Sequence, residues 1–195
     1  MVLKSSEWRS AKAKQILAVL LLRRGGGIPR DELIDTIWPG AERESGSNKL
    51  KFCWSILKRL LEPGLTNRAE SKYLWRGAAG YELKMADGLR VDADIFGERL
   101  TQCKWSGDPD DLFGPINLYR GDFLADLPAT GEMAAKRDRY RTEYVTAVMK
   151  LLNYLSEEGR LAEAKSLVHQ AHRILTGRPE LEEIENRLAR WEQGI

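Results

Sequence analysis

Between Ser47 and Leu61 the chain sets apolar and cationic residues on opposite sides of one helix, and this stretch most constrains the fold. At ~100° per residue, Leu50, Cys53, Trp54, Leu57, Leu60 and Leu61 fall within an arc of roughly 120°. Asn48, Lys51, Phe52, Ser55, Lys58 and Arg59 lie opposite, with Lys49 on the flank. No acidic residue enters the window until Glu62, directly before Pro63, where a helix must stop. Surface helices ordinarily mix signs and gain i,i+4 ion pairs. This one needs an apolar layer on one side and presents cations, an amide and a hydroxyl on the other. Such a face is either simply solvated or suited to phosphates and base edges in a major groove.

The charge of the whole chain, +2, hides an asymmetry. Residues 1–84 carry 16 Lys and Arg against 9 Asp and Glu, a balance of +7, and residues 85–195 carry 15 against 20, a balance of −5. An anionic partner is therefore expected on the front half, bound with salt-dependent affinity. At 43% hydrophobic and 31% charged the composition is that of a folded chain, and 195 residues give one large or two small domains. Cys53 and Cys103 form neither a disulfide framework nor a CxxC metal site, so reduced, cytoplasmic thiols are expected. The apolar run Ile16–Leu22 is too short to span a bilayer, and no signal peptide is expected.

Along the chain, Ser10 is placed to cap a helix reaching about Arg24, with Ala13, Ile16, Leu17, Leu20 and Leu21 as its buried stripe. Gly25-Gly26-Gly27 ends it, without the GxxxxGK[ST] spacing of a phosphate-binding loop. Ile28 is placed for a one-residue bridge to a small sheet. Pro29, Asp31 and Glu32 open a second helix burying Leu33, Ile34, Ile37 and Trp38. Ala41–Gly46 reads as a polar connector, with Ser45 or Ser47 capping the third helix. Strand propensity in Lys72–Arg76 and Gly80–Lys84 predicts a hairpin with Lys72 and Arg76 near its tip. Helix, helix, helix, hairpin is the order of a winged helix, whose last helix enters the major groove while the wing reaches the adjacent backbone or minor groove.

The rear half opens at Val91–Phe96, with Asp92 or Asp94 capping a helix to about Cys103. After a turn at Gly107–Asp111, a short helix carries Leu112, Ile116 and Tyr119, and Gly121 breaks it. From about Gly131 the period is helical. Tyr140, Tyr144, Val148, Leu151, Leu152 and Leu155 line one long helix ended by Gly159. Leu161, Ala164, Leu167, Val168, Ala171 and Leu175 line the next, and Leu181, Ile184, Leu188 and Trp191 the last. Leu152, Leu155, Gly159, Ala164, Val168 and Ala171 fit the apolar and small positions of a tetratricopeptide-type helical hairpin.

Residues 10–84 resemble the winged helix of bacterial response regulators, in the version used by Streptomyces antibiotic regulatory proteins. The resemblance rests on Lys14 with Leu17 and Leu20, Asp31–Asp35 with Ile37-Trp38-Pro39, Asn48 and Leu50, Ser55–Pro63, and Gly80–Leu83. Val91–Phe96, Tyr119–Leu124 and the Arg137/Tyr140 helix resemble the bacterial transcriptional activator domain that follows the winged helix in those proteins. A Trp usual before the Arg-containing helix is replaced here by the neighbourhood of Glu132-Met133. The family's N-terminal sheet has only Met1–Arg9 to form it, so either that sheet is reduced or the chain is a piece of a longer regulator.

The expectation is thus a mainly α chain with a small β wing, a winged helix-turn-helix over residues 1–88 and TPR-like helical hairpins over 89–195. The expected function is cofactor-free and metal-free transcriptional regulation through double-stranded DNA. Asn48, Lys51 and Ser55 would lie nearest base edges, and Lys49, Lys58 and Arg59 would clamp phosphates, Arg59 alternatively capping its own helix. Phe52 either meets a thymine methyl or packs on the Ala41–Gly46 loop. Arg76, then Lys72, would serve the wing, with Trp75 and Tyr73 packing it to the core. The resemblance further implies contact with RNA polymerase around Pro39–Gly46, with Glu42 and Glu44 as candidates against a plain solvated connector, and a homodimer on tandem half-sites. The alternative is a protein-interaction module whose winged helix docks protein. His169 and His172 lack HExxH spacing and no Ser or Cys sits in a GxSxG elbow, so no active site is expected.

Overall fold

A computed structural model describes residues 8, 10–66, 69–85, 89–125, 127–128 and 131–193. The Met1–Arg9 segment available for the family's N-terminal sheet lies, apart from Trp8, outside the described residues. The chain divides into two compact units, Met1–Leu89 and Arg90–Ile195, and is mainly α with one small antiparallel hairpin.

The front unit is a winged helix. Helix α1 (Ala11–Leu22) is capped by Ser10, whose Oγ accepts from the Ala13 amide at 3.2 Å. Its expected stripe is buried, with Ala18 in addition. The helix stops at Leu22, earlier than expected, and Arg24 folds back so that its Nε donates to the Leu21 carbonyl at 2.8 Å. Helix α2 (Arg30–Ile37) follows Pro29 with Asp31 and Glu32 in its first turn, where the helix dipole favours anions. It buries Leu33, Ile34 and Ile37, whereas Trp38 ends half-buried as its C-cap. Lys12 Nζ on α1 donates to the Ile37 carbonyl at 2.8 Å, answering an orphan acceptor at the end of α2.

Helix α3 spans Arg43–Leu61 and so begins earlier than expected. Neither Ser45 nor Ser47 caps it: Glu42 is the N-cap, without a side-chain hydrogen bond. The misleading residue is Gly46, which is helical and buried. A Cβ there would stand 2.5 Å from Ile34 Cγ2, so the glycine marks a close approach of α3 to α2 and not a turn. Leu50, Cys53, Trp54, Leu57 and Leu61 are buried as expected, whereas Leu60 is only half-buried. Full burial of residues such as Leu50 and Leu57 contributes about 1.5–3 kcal/mol each.

The wing pairs β1 (Leu74–Gly77) with β2 (Gly80–Leu83), Leu74 opposite Leu83 and Arg76 opposite Tyr81. Ile28 bridges Tyr81 on the free edge of β2, with the two backbone bonds at 2.9 and 2.8 Å. Gly80 turns with φ +107°, and a Cβ there would meet the Ile28 carbonyl oxygen at 2.0 Å. Tyr81 meets Trp54 of α3 edge-on, with ring centroids 4.7 Å apart. Trp75 does not pack the wing to the core as expected: it is 39% exposed, with Lys84 Nζ 4.0 Å from its ring centroid.

The rear unit comprises α4 (Asp92–Ser106), a 3-10 turn at Pro109–Leu112, α5 (Phe113–Leu118), α6 (Gly131–Glu157), α7 (Leu161–Leu175) and α8 (Pro179–Glu192). Val91, not Asp92 or Asp94, is the N-cap of α4, and both acids sit in its first turn beside the helix dipole. Phe96, Tyr119, Phe123, Tyr140 and Tyr144 form one aromatic core, Tyr119 stacking on Tyr144 at 4.4 Å. The successive hairpins α6–α7 and α7–α8 have the TPR-like pattern. Gly159 takes φ +67° and lets the Arg160 amide reach the Leu155 carbonyl at 2.8 Å, which ends α6. Ala164, Leu167, Val168, Ala171 and Leu175 are buried between them, whereas Leu161, at the start of α7, is exposed. In α8, Leu181 and Ile184 are buried and Leu188 and Trp191 half-buried. Among the described residues no helix is long and apolar enough to cross a membrane.

Candidate nucleic-acid interface

The side of α3 away from the core is open. Asn48, Lys49, Lys51, Phe52 and Arg59 are exposed, and Ser55 and Lys58 half-exposed. Among the described residues no carboxylate pairs with Lys49, Lys51, Lys58 or Arg59; the Arg59 guanidinium instead donates to Ser55 Oγ at 3.3 Å, one turn back. Arg59 is therefore held along the helix surface and does not cap the last carbonyls. Phe52 does not pack on the preceding connector: 67% of it is exposed, the largest fraction among the exposed large apolar residues. Its polar surroundings follow from the helix period. At ~100° per residue, Asn48, Lys49, Ser55 and Arg59 stand within about 60° of Phe52, as does one apolar neighbour, the half-buried Ile56, and Lys51 and Lys58 share one flank at roughly 100–120°.

On the wing, Arg76 is exposed and its guanidinium lies 5.7 Å from the Tyr81 ring centroid. It is one residue from the turn, as expected. Lys72 is not near the tip. It precedes β1, at the base of the wing, where its backbone amide donates to Glu62 Oε1 at 3.0 Å. The other oxygen of Glu62 accepts a short hydrogen bond from Ser71 Oγ, which itself accepts from the Leu74 amide at 2.9 Å. One carboxylate at the end of α3 thereby fastens the strand that carries Arg76. Sequence reasoning saw in Glu62 only the residue before a helix-stopping proline.

A second omission is Arg30. A shallow depression between the start of α2 and the wing tip is lined by Pro29, Arg30, Asp31, Arg76, Ala79 and Tyr81, among others, so the wing arginine and Arg30 border one recess. Arg30 Nε donates to Asp31 Oδ1 at 3.0 Å, both side chains being exposed, which leaves the pair weakly held.

In the rear unit the buried cation is Arg137, 7% exposed, donating to the carbonyls of Phe123, Leu124 and Leu127. Asp122 beside it receives a bidentate pair from Arg141 at 3.1 and 3.0 Å, and further bonds from Tyr119 Oη and Arg178. Burial pushes the Asp122 carboxyl up, but those donors outweigh it and hold the acid below its ordinary range. His169 and His172 are exposed on α7, His172 Nδ1 lying 2.8 Å from Glu185. Among the described residues no group of three or more His, Cys, Asp or Glu is placed to hold a metal.

Residues 91–190, the span that holds the Arg137 knot and the helical hairpins, match the family described as bacterial transcriptional activator domain. The chain belongs to that family. It is also similar to the regulatory protein AfsR of Streptomyces coelicolor, 28% identical over 123 residues. That similarity covers 61% of this chain and 12% of the relative. Membership makes the chain one of a transcriptional activator family of the kind found in Streptomyces antibiotic regulators.

Proposed function

We propose that this chain is a DNA-binding transcriptional regulator, an activator, with the winged helix over residues 1–88 as its DNA-binding domain and residues 89–195 as its interaction domain. The observation that carries this is the exposed, acid-unpaired cationic side of α3. Asn48, Phe52 and Ser55 occupy the middle of that face and meet base edges, and Lys51 reaches guanine acceptors from one flank. Lys49, Lys58 and Arg59 clamp phosphates, and Arg76 serves the adjacent groove or backbone, with Lys72 at the base of the wing. The helical hairpins contact a second copy or RNA polymerase, and exposed Glu42 and Glu44 at the start of α3 also contact the polymerase. No cofactor takes part, and the setting is cytoplasmic. A fluorescence anisotropy titration of the full chain against random duplex at two salt concentrations tests this. Binding at low salt that weakens steeply as salt rises is expected. No binding at low salt, or binding indifferent to salt, would assign the winged helix to protein docking.

A further inference from the structure

We infer that Phe52 is a specificity-determining residue that recognises the 5-methyl group of a pyrimidine in the major groove. This inference rests on the proposal that α3 is the DNA-reading helix. Burial and period locate Phe52 within about 40° of the pole of the open face: buried Leu50, Trp54, Leu57 and Leu61 lie roughly 140–180° away around the helix, and Cys53 about 100°. A residue near the pole points into a groove that the helix enters, while a flank residue such as Lys58 meets its wall. Around Phe52 stand an amide, two cations, a hydroxyl and, one turn on, the half-buried Ile56, which leaves 67% of the residue facing solvent. A phenyl ring has no hydrogen bond to give a base edge. The one apolar feature on the major-groove floor is the C5-methyl group, carried by thymine and equally by 5-methylcytosine, and contact with it is the readout open to Phe.

The methyl group can be deleted without altering any hydrogen bond, because deoxyuridine pairs as thymidine does. A duplex selected from a random library by the full chain is resynthesised with deoxyuridine replacing thymidine at one position at a time, and affinities are read by anisotropy for the wild type and for Phe52→Ala. At one position per half-site the wild type loses about fourfold on methyl deletion, the value of one buried methyl. The F52A protein binds both forms alike, with the wild-type melting temperature. Where that position is changed to cytosine, 5-methylation restores about fourfold to the wild type alone, which separates the two methyl sources. Equal affinity of the wild type for every thymidine and deoxyuridine duplex, or an unchanged methyl penalty in F52A, overturns the inference and leaves DNA binding standing. Failure to select any duplex overturns both.

Discussion

Replacing Arg137 with Met removes a buried cation while keeping an unbranched apolar stem, so the change isolates the hydrogen bonds from the packing. In the wild type the guanidinium meets Phe123 O at 2.6 Å and Leu127 O at 2.7 Å, both in buried bonds, and closes on the part-buried Leu124 carbonyl. The Leu124 carbonyl regains water in the variant. The other two are left inside without a donor, at about 1–3 kcal/mol each. Because both bonds are to a charged donor, at about 1.5–3 kcal/mol each, the rear unit should lose about 3–6 kcal/mol in all. Arg137→Lys should fall between, since an ammonium cannot reproduce the planar fork across three carbonyls. Because the chain holds two units, one unfolding free energy for the whole is not defined, and amide hydrogen exchange resolved to α6 and to residues 119–128 is the suitable assay. Protection in both should collapse by two or more orders of magnitude while that of α1 and α3 is unchanged. Loss of less than tenfold would refute the view that Arg137 ties the Phe123–Leu127 turn to α6.

Lys51→Ala should cost about 1–3 kcal/mol on a selected duplex and relax sequence preference, while Lys58→Ala should weaken all duplexes alike and lower the salt slope by about one; competition titrations against specific and random DNA distinguish the two. Glu62→Ala should release the base of the wing, seen as faster amide exchange over residues 71–77 and weaker DNA binding, with α3 itself intact. Asp122 has a lowered pKa when folded, so its contribution is present above the unfolded carboxylate value of about 3.9 and disappears as pH falls through the lower folded value. Acid melts of the rear unit should therefore show a loss below pH 4 that Asp122→Asn reduces.

The parts of the molecule most readable from sequence were those set by period and by covalent geometry. The stripe of α1 and its Ser10 cap, the stop at Glu62-Pro63, and the Ile28 bridge each follow from a local rule. Elements were misjudged where a tertiary contact overrode the local signal. Gly46 has the composition of a turn, yet its missing Cβ admits Ile34, and α3 therefore starts at Arg43. Lys72 looked like part of a strand, but Glu62 captures its amide and fixes it at the wing's base. Asp92 and Asp94 are good capping residues that serve instead within the first turn. Of the candidate interface, the polarity of α3 was legible because it is one-dimensional. The clamp by Glu62, the recess shared by Arg30 and Arg76, and the exposure of Phe52 depend on residues far apart in the chain, and no local pattern announces them.

The salt dependence of duplex affinity, compared between the wild type and a Lys49→Ala/Lys51→Ala/Lys58→Ala triple variant, tests the central assignment most directly. These three cations lie on the open side of α3, so removing them leaves the core untouched. The slope of log affinity against log salt should fall by about two, close to one for each phosphate that Lys49 and Lys58 no longer neutralise, while loss of the Lys51 base contact lowers affinity for the selected duplex further. An unchanged slope in a folded variant would place any nucleic-acid contact elsewhere and remove α3 as the DNA-reading element.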